Sequence, residues 1–247
     1  MPTTAPDRRG GMVADPRSAH PDAASRRHYA LCMFTGLIQA VGRITSITPT
    51  GDGAACGSGG GGGGGGGARI EIDPSGWSHR PNVGDSIAVS GCCLTLAGPV
   101  TGAGRFLFDA VRETLDRTTL GSLAPGHRVN LEHAVRADTL MGGHFVQGHI
   151  EGLATVASVQ RKEADWRVSF TAPDELMDAT IPKGSIAIDG VSLTVARVDR
   201  NTLEVALIPT TLELTTLGDL REGDRVNIET DMLARAAVHA LRRISSD

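Results

Sequence analysis

One stretch of this chain, SIAVSGCCLT at residues 86–95, recurs as SIAIDGVSLT at residues 185–194. Each copy has alternating apolar residues on both sides of a glycine, which is typical of short β-strands bounded by turns. Such a close match over ten positions indicates that the chain contains an internal duplication.

The duplication extends in both directions from this stretch. The spacing between matched segments falls from 112 residues at Gly36 and Gly148 to 99 residues at Ser86 and Ser185, and a glycine tract lies between them. We expect that tract, residues 57–67, to be a disordered loop inserted in the first copy, because glycine has no side chain to bury. The further matches are TLDRTTLG at 114–121 with TLELTTLG at 211–218, RVNLE at 128–132 with RVNIE at 225–229, and GLIQ at 36–39 with GHIE at 148–151.

The pattern of short apolar segments predicts an all-β fold. About six strand candidates fall in each copy of about 100 residues, which favours two small barrels, and a single intertwined domain is the alternative. The candidates are residues 70–72, 86–89, 94–96, 105–110, 128–132, 168–170, 185–188, 193–198, 202–207 and 225–229.

The end of the chain has a helical period instead. Apolar residues from Met232 to Ile244 recur at spacings of three and four, and Thr230 or Asp231 could cap the helix. We therefore predict barrels at 33–136 and 137–230, a helix within 231–247, and a disordered extension at 1–32. Met33 is a candidate translation start.

Composition excludes several classes of protein. The net charge is −4 and 3% of residues are aromatic, which argues against a nucleic-acid partner. No apolar run approaches the roughly 20 residues that a membrane span needs. The adjacent Cys92 and Cys93 make a poor disulfide framework, which favours a reducing cytoplasm.

Strand alternation places small polar side chains at matching positions of the two copies. Cys93 and Thr95 would share the outer face of one strand, and Ser192 and Thr194 the outer face of its counterpart. These side chains are candidate nucleophiles or hydrogen-bonding groups. The alternatives are an ordinary solvated face for Ser192 and Thr194 and a small buried residue for Cys93.

Two histidines, His144 and His149, flank a glycine-rich stretch. Either one could act as acid or base, since an unperturbed imidazole titrates near pH 6.5, or could be a surface hydrogen-bonding group. A spacing of five along a strand would send the rings to opposite faces, so we expect no metal site.

These motifs together resemble those of the riboflavin synthase family. The resemblance spans residues 33 to about 243 with the motifs in family order. It rests on Met33-Phe34-Thr35-Gly36, Gly91-Cys92-Cys93-Leu94-Thr95, Glu113-Thr114-Leu115, Gly142-Gly143-His144, Gly148-His149, Asp189-Gly190-Val191-Ser192-Leu193-Thr194, and Ile208-Pro209 before Thr211-Leu212. Thr210 departs from the pattern, because some members of the family carry an acidic residue there.

The resemblance implies two six-stranded Greek-key barrels and a C-terminal helix that gathers three chains into a homotrimer. It implies a dismutation without cofactor, in which two molecules of 6,7-dimethyl-8-ribityllumazine give riboflavin and 5-amino-6-ribitylamino-uracil. The active site would lie between the first barrel of one chain and the second barrel of its neighbour. Association with lumazine synthase is left open. The alternative is a non-catalytic lumazine- or flavin-binding fluorescent protein of the same fold.

Residues carried over from the family fall into two substrate-binding groups. The first-barrel group is Gly36, Leu37, Ile38, Cys92, Cys93, Leu94, Asp109, Ala110, Val111, Arg112, Glu113 and Thr114. The second-barrel group is Gly148, His149, Ile150, Lys183, Gly190, Val191, Ser192, Leu207, Ile208, Pro209, Thr210, Thr211 and Leu212. His149, Ser192 and Thr194 are the candidates for handling a proton. Cys93 would add to C7 of a lumazine or assist a water that does so.

Overall fold

The computed structural model of the chain describes residues 33–51, 66–162 and 165–245. The predictions for residues 1–32 and for most of the glycine tract lie outside these ranges. One sheet contains β1 (Ala40–Thr50), β2 (Gly67–Asp73), β3 (Ser86–Val89), β4 (Cys92–Thr95), β5 (Phe106–Ala110) and β6 (Arg128–His133). The other contains β7 (Gly152–Lys162), β8 (Asp165–Thr171), β9 (Ser185–Ile188), β10 (Val191–Val198), β11 (Thr202–Leu207) and β12 (Arg225–Thr230). The α-helices are α1 (Arg112–Arg117), α2 (Asp174–Met177), α3 (Pro209–Leu214) and α4 (Met232–Ile244).

The two sheets have the same strand order, which confirms a duplicated, mostly β fold followed by a helix. The first runs β4-β3-β6-β1-β2-β5, and the second closes as the barrel β10-β11-β8-β7-β12-β9. In the first sheet no ladder joins the edge strands β4 and β5 among the described residues, and an isolated bridge connects Leu96, just after β4, with Phe108 of β5. Its β4 stops at Thr95, shortly before Pro99, whereas β10 continues to Val198. Proline has no N–H with which to continue a strand ladder.

Each sheet encloses its own apolar core, and strand alternation decides which side chains enter it. Cys92 and Leu94 of β4 are buried, while Thr95 is exposed and Cys93 is intermediate. The counterpart β10 has the same pattern, with Val191, Leu193 and Val195 buried, Ser192 intermediate and Thr194 exposed. The predicted division into an inner and an outer face is therefore confirmed in both copies.

Two long strands, β1 and β7, are missing from the candidates that alternation predicts. Each carries a register shift against its neighbour, between Ile44 and Ser46 in β1 and between Val156 and Ser158 in β7. A β-bulge of this kind breaks the two-residue period on which the prediction depends. The loop predicted at residues 57–67 ends one residue too late, because Gly67 is the first residue of β2 and pairs with Thr50 of β1.

Asn227, a fully buried residue of β12, connects the two sheets. Its side-chain N–H donates to the carbonyl of Ser90 at 2.8 Å and to the hydroxyl of Thr119 at 2.9 Å. Its side-chain oxygen accepts from the backbone N–H of Thr119 at 2.8 Å. Every polar atom of this amide is therefore satisfied by the other copy.

Asn130, the equivalent residue of β6, makes the reciprocal contacts. It donates to the carbonyl of Asp189 at 2.9 Å and accepts from the backbone N–H of Thr216 at 2.8 Å. Phe34 and Val146, which are also equivalent, pair with each other as an antiparallel bridge. Contacts in which matched residues exchange roles define a two-fold relation between the copies.

Helix α4 begins with a capped first turn. The Asp231 side chain accepts hydrogen bonds from the backbone N–H groups of Leu233 and Ala234, so Asp231 and not Thr230 is the cap. Arg242 pairs with Asp178 beside α2. Leu233, Leu241 and Ile244 lie on the helix with exposed side chains. No helix among the described residues is long and apolar enough to cross a membrane.

Asn227→Ala should destabilise the fold strongly. The change leaves the carbonyl of Ser90 and the N–H of Thr119 buried without their partner, and each such loss costs about 1–3 kcal/mol. We expect urea unfolding to show a loss of about 3 kcal/mol or more, with a similar loss for Asn130→Ala. The exposed Asn201→Ala is the matched control and should change little. A loss below about 1 kcal/mol for Asn227→Ala would contradict this account.

Candidate active site

The outer face of β10 brings a serine and a histidine together. The Nδ1 atom of His144 lies 2.7 Å from the Oγ atom of Ser192. Thr194 is exposed on the same face of the strand. The backbone N–H of Ser192 donates to the carbonyl of Gly36 at 2.8 Å, so the Gly36 segment forms one side of this face. We call these residues the Ser192 face.

The environment of His144 favours the neutral form of its ring. Burial lowers the pKa of His144, and the nearby Asp231 carboxylate acts in the opposite direction. The Nε2 atom is buried and has no hydrogen-bond partner among the described residues. A neutral ring that carries its hydrogen at Nε2 can accept the Ser192 hydroxyl proton at Nδ1. In that tautomer the pair can pass the serine proton to the imidazole, so that the serine oxygen can accept a proton in its place.

The outer face of β4 carries Cys93 and is completed by a different segment. The backbone N–H of Cys93 donates to the carbonyl of Gly148 at 2.8 Å. Gly148 has φ +79°, and a Cβ there would lie 2.6 Å from the Cβ of Cys93, so only glycine fits this approach. His149 follows directly and is exposed. We call Cys93, Thr95 and this segment the Cys93 face.

The segments that contain Gly36 and Gly148 each contact the opposite copy, whereas the sequence assigned each one to the face of its own copy. Gly36 of the first copy contacts Ser192 of the second, and Gly148 of the second contacts Cys93 of the first. Ile38 packs against the second core and Ile150 against the first. His149 therefore belongs with the Cys93 face, and the histidine that contacts Ser192 is His144. Leu37 is the first-copy equivalent of His149.

A buried glutamate anchors each exchanged segment. Glu132 accepts from the backbone N–H and hydroxyl of Thr35, both at 2.7 Å, and from the N–H of Gly36 at 3.0 Å. Glu229 accepts from the N–H groups of Gln147, Gly148 and His149 at 2.6, 2.9 and 3.0 Å. Burial raises the pKa of both carboxyls, and the hydrogen bonds from the segments lower it in part.

The residues predicted after β4 lie at the end of β5 and on α1. Asp109 is exposed and pairs with Arg69 at 2.8 Å, which lowers the pKa of the Asp109 carboxyl. Ala110 is buried, and Val111 is 65% exposed at the start of α1. Arg112 and Glu113 make ion pairs within α1, and the carbonyl of Thr114 accepts from the hydroxyl of Thr118.

The corresponding second-copy residues border a cavity of about 500 Å³. Leu207, Ile208, Pro209 and Leu212 line it together with Trp166 of β8 and with charged residues of the β7–β8 region. Thr210 and Thr211 lie in α3 beside it. Lys183 is positioned separately, in a turn with φ +66° whose backbone N–H donates to the carbonyl of Val195.

Several predicted residues have side chains that face away from both surfaces. Cys92, Leu94 and Val191 lie in the apolar cores, so only their backbones could contact a ligand. Burial raises the pKa of the Cys92 thiol to about 12, and of the two cysteines among the described residues Cys93 is the more accessible. Gly190 lies between the two sheets, where a Cβ would meet the backbone nitrogen of Gly91 at 2.6 Å.

The premise that His144 and His149 share a strand is wrong. Residues 142–151 form no named strand, and within them only Val146 makes an isolated bridge. Gly148 has φ +79°, a conformation that favours glycine. In residues 33–51, 66–162 and 165–245, no group of three or more His, Cys, Asp or Glu side chains is arranged to hold a metal ion.

The anchoring glutamates and asparagines were missed from the sequence. Asn130 and Glu132 alternate with Val129 and Leu131 along β6, a pattern that predicts a solvated polar face. All four are buried. The signal that could have identified them is the conservation of both polar residues between the copies, as RVNLE and RVNIE.

Comparison with known proteins identifies this arrangement. The lumazine binding domain family matches the chain twice, at residues 35–134 and 147–231. The riboflavin synthase of Chlamydia pneumoniae is 39% identical over 213 residues, covering 86% of this chain and 96% of that protein. The riboflavin synthase of Bacillus subtilis (strain 168) is 33% identical over 215 residues, covering 87% and 93%.

Solved structures with a similar fold include LumP. The crystal structure of LumP complexed with 6,7-dimethyl-8-(1'-D-ribityl) lumazine has a TM-score of 0.66 and 27% sequence identity, covering 80% of this chain and 98% of that one. The complex of LumP with flavin mononucleotide gives a TM-score of 0.64. The fold and the two matched faces therefore define a protein with tandem lumazine-binding domains. The sequence identity to the riboflavin synthases extends over most of their length and is more specific than the similarity of fold. The chain therefore belongs to the riboflavin synthase family.

The contact between His144 and Ser192 predicts non-additive losses. His144→Ala and Ser192→Ala should each lower kcat by about 10²-fold, the low end for a proton-transfer group, and the double variant should be no slower than either. Because the pKa of His144 is lowered, wild-type activity should fall only below the usual imidazole range near pH 6.5. Single-turnover rates across pH test both points. Losses that multiply in the double variant would contradict a joint role.

Proposed function

We propose that the chain catalyses the dismutation of two 6,7-dimethyl-8-ribityllumazine molecules into riboflavin and 5-amino-6-ribitylamino-uracil. The observation that carries this proposal is the pair of matched faces, each with its own polar side chains and each completed by a segment of the other copy. Two identical substrates need two related sites. The membership of the chain in the riboflavin synthase family supports the same reaction.

Each face would hold one lumazine. The Cys93 face offers Cys93 and Thr95, the backbone of the Gly148 segment, and the exposed His149. The Ser192 face offers Ser192, Thr194 and the Gly36 segment. The ends of β5 and β11, with α1 and α3, would provide the remaining contacts. Holding two molecules in fixed opposition replaces a bimolecular encounter, which can account for most of the acceleration.

The reaction begins with loss of a proton from the acidic 7-methyl group of one lumazine. Ser192, with His144 at 2.7 Å, is placed to take that proton on its face. His149 is the proton-handling group of the other face. Cys93 would add to C7 of the second lumazine or assist a water that does so, and the four-carbon unit then passes between the two rings. A thiol adds to a ring carbon as the thiolate, so the first role requires a lowered pKa.

The substrate pair would form between neighbouring chains. Helix α4 carries exposed Leu233, Leu241 and Ile244, and an apolar stripe of this kind favours self-association. We extend the proposal to a homotrimer in which the first barrel of one chain faces the second barrel of the next. The adjacent cysteines favour the cytoplasm as the compartment, where lumazine synthase is a candidate partner.

A non-catalytic lumazine carrier is the second candidate, favoured by the structural similarity to LumP. The polar groups on both faces argue for the enzyme, because a carrier needs one good pocket and no proton-handling set on the other. The curated synthases are also more similar in sequence, at 33–39% identity against 26–27% for LumP.

Incubation of the purified protein with the lumazine, monitored by riboflavin fluorescence, separates these functions. We expect riboflavin to form, and His149→Ala to lower kcat by about 10²-fold while lumazine affinity changes little, because a bond that strengthens in the transition state acts on kcat. Leu37→Ala, at the equivalent position of the other face, removes a side chain that cannot carry a proton, so it should weaken lumazine binding and leave kcat nearly unchanged. Lumazine binding without riboflavin formation would favour the carrier.

Removal of residues 231–247 should give monomers that fold but scarcely turn over. The helix contributes no residue to either barrel core, so folding should persist, whereas a shared site would be lost. Light scattering and the fluorescence assay measure the two effects. A truncated chain that stays trimeric, or a monomer with full activity, would overturn the shared-site proposal.

A further inference from the structure

Helix α4 is bonded directly to the segment that carries His149. The guanidinium of Arg235 lies 3.0 Å from Oε1 of Glu151 and donates to Oε1 of Gln147 at 2.6 Å. These two residues bracket Gly148, His149 and Ile150. One partly buried side chain of the helix therefore holds both ends of a short segment.

The opposite side of the segment is fixed by the barrel. Glu229 of β12 accepts three backbone N–H groups from Gln147 to His149. Glu151 also accepts from the backbone N–H and hydroxyl of Thr230 at 2.7 and 2.9 Å. The segment thus lies between the last strand and the first turns of α4, and Arg235 is its contact on the helix side.

Among the described residues, the first copy shows no equivalent of this contact. Gln39 takes the place of Glu151, and it accepts from the backbone N–H of His133 as Glu151 does from Thr230. Arg235 lies six residues after Glu229, and the equivalent residue six positions after Glu132 is Asp138. Asp138 pairs with Arg136. The ionic contact is therefore confined to the copy whose segment carries a histidine.

We propose that Arg235 is a positioning residue that couples helix α4 to the Cys93 face by fixing the His149 segment. This inference rests on the proposed function, because His149 is placed there in the reaction. Arg235 touches no reacting atom in this account. It acts through Gln147 and Glu151, so a shift of the helix would move the backbone on which His149 stands.

Three variants of the full chain test the coupling. Arg235→Met removes the charge and both contacts at similar volume, Arg235→Lys keeps a charge toward Glu151, and Arg242→Met removes the ion pair that the same helix makes with Asp178. For each we would measure kcat, KM, oligomeric mass and deuterium exchange of the backbone N–H groups of residues 147–151. Exchange reports the segment even if no riboflavin is formed.

Arg235→Met should lower kcat by about 10-fold or more, because small displacements of a positioned group cost up to about 10²-fold. Its segment should exchange at least about 10-fold faster at unchanged oligomeric mass, Arg235→Lys should recover most of kcat, and Arg242→Met should match the wild type. Unchanged exchange in Arg235→Met overturns the proposal, whether activity is kept or is lost through dissociation. A wild type that forms no riboflavin defeats the proposed function, and the exchange result still decides the coupling.

Discussion

Two buried amides, Asn130 and Asn227, hold the copies in one fixed relation. Each satisfies backbone groups of the opposite copy, and each is fully removed from water. In such an environment an unpaired amide costs more than the bond itself is worth, so the contacts act as a strict specification of geometry. The close approach of Gly91 to Gly190 and the pairing of Phe34 with Val146 occur in the same arrangement.

The exchange of segments follows from this arrangement and determines the chemistry of each face. The copies meet at the turns that contain Gly91 and Gly190, and the chain preceding each sheet bonds to the strand of the other copy that carries Ser192 or Cys93. Glu132 and Glu229 fix the backbone of these crossing segments from within their own copies. The polar groups of a face are thus held by two sheets at once, which is the rigidity that a positioned reaction requires.

Much of the fold could be predicted from the sequence, because alternation and duplication are local signals. They identified ten of the strand regions, the inward side chains of β4 and β10, and the helix α4. They could not reveal the exchange, since matching Gly36 to Gly148 shows which residues are equivalent but not which copy each one contacts. The bulged strands β1 and β7 and the buried Asn130 and Glu132 were hidden for a related reason, because polar residues on alternate positions ordinarily face water.

The two-fold relation also bears on how the copies could diverge. A single-copy protein would have to make the same bonds by joining two identical chains, and every change on one face would appear on the other. Covalent linkage of the copies removes that constraint. His149 can then stand where the other copy has Leu37, and Ser192 where it has Cys93, so that one gene encodes an asymmetric pair of related faces.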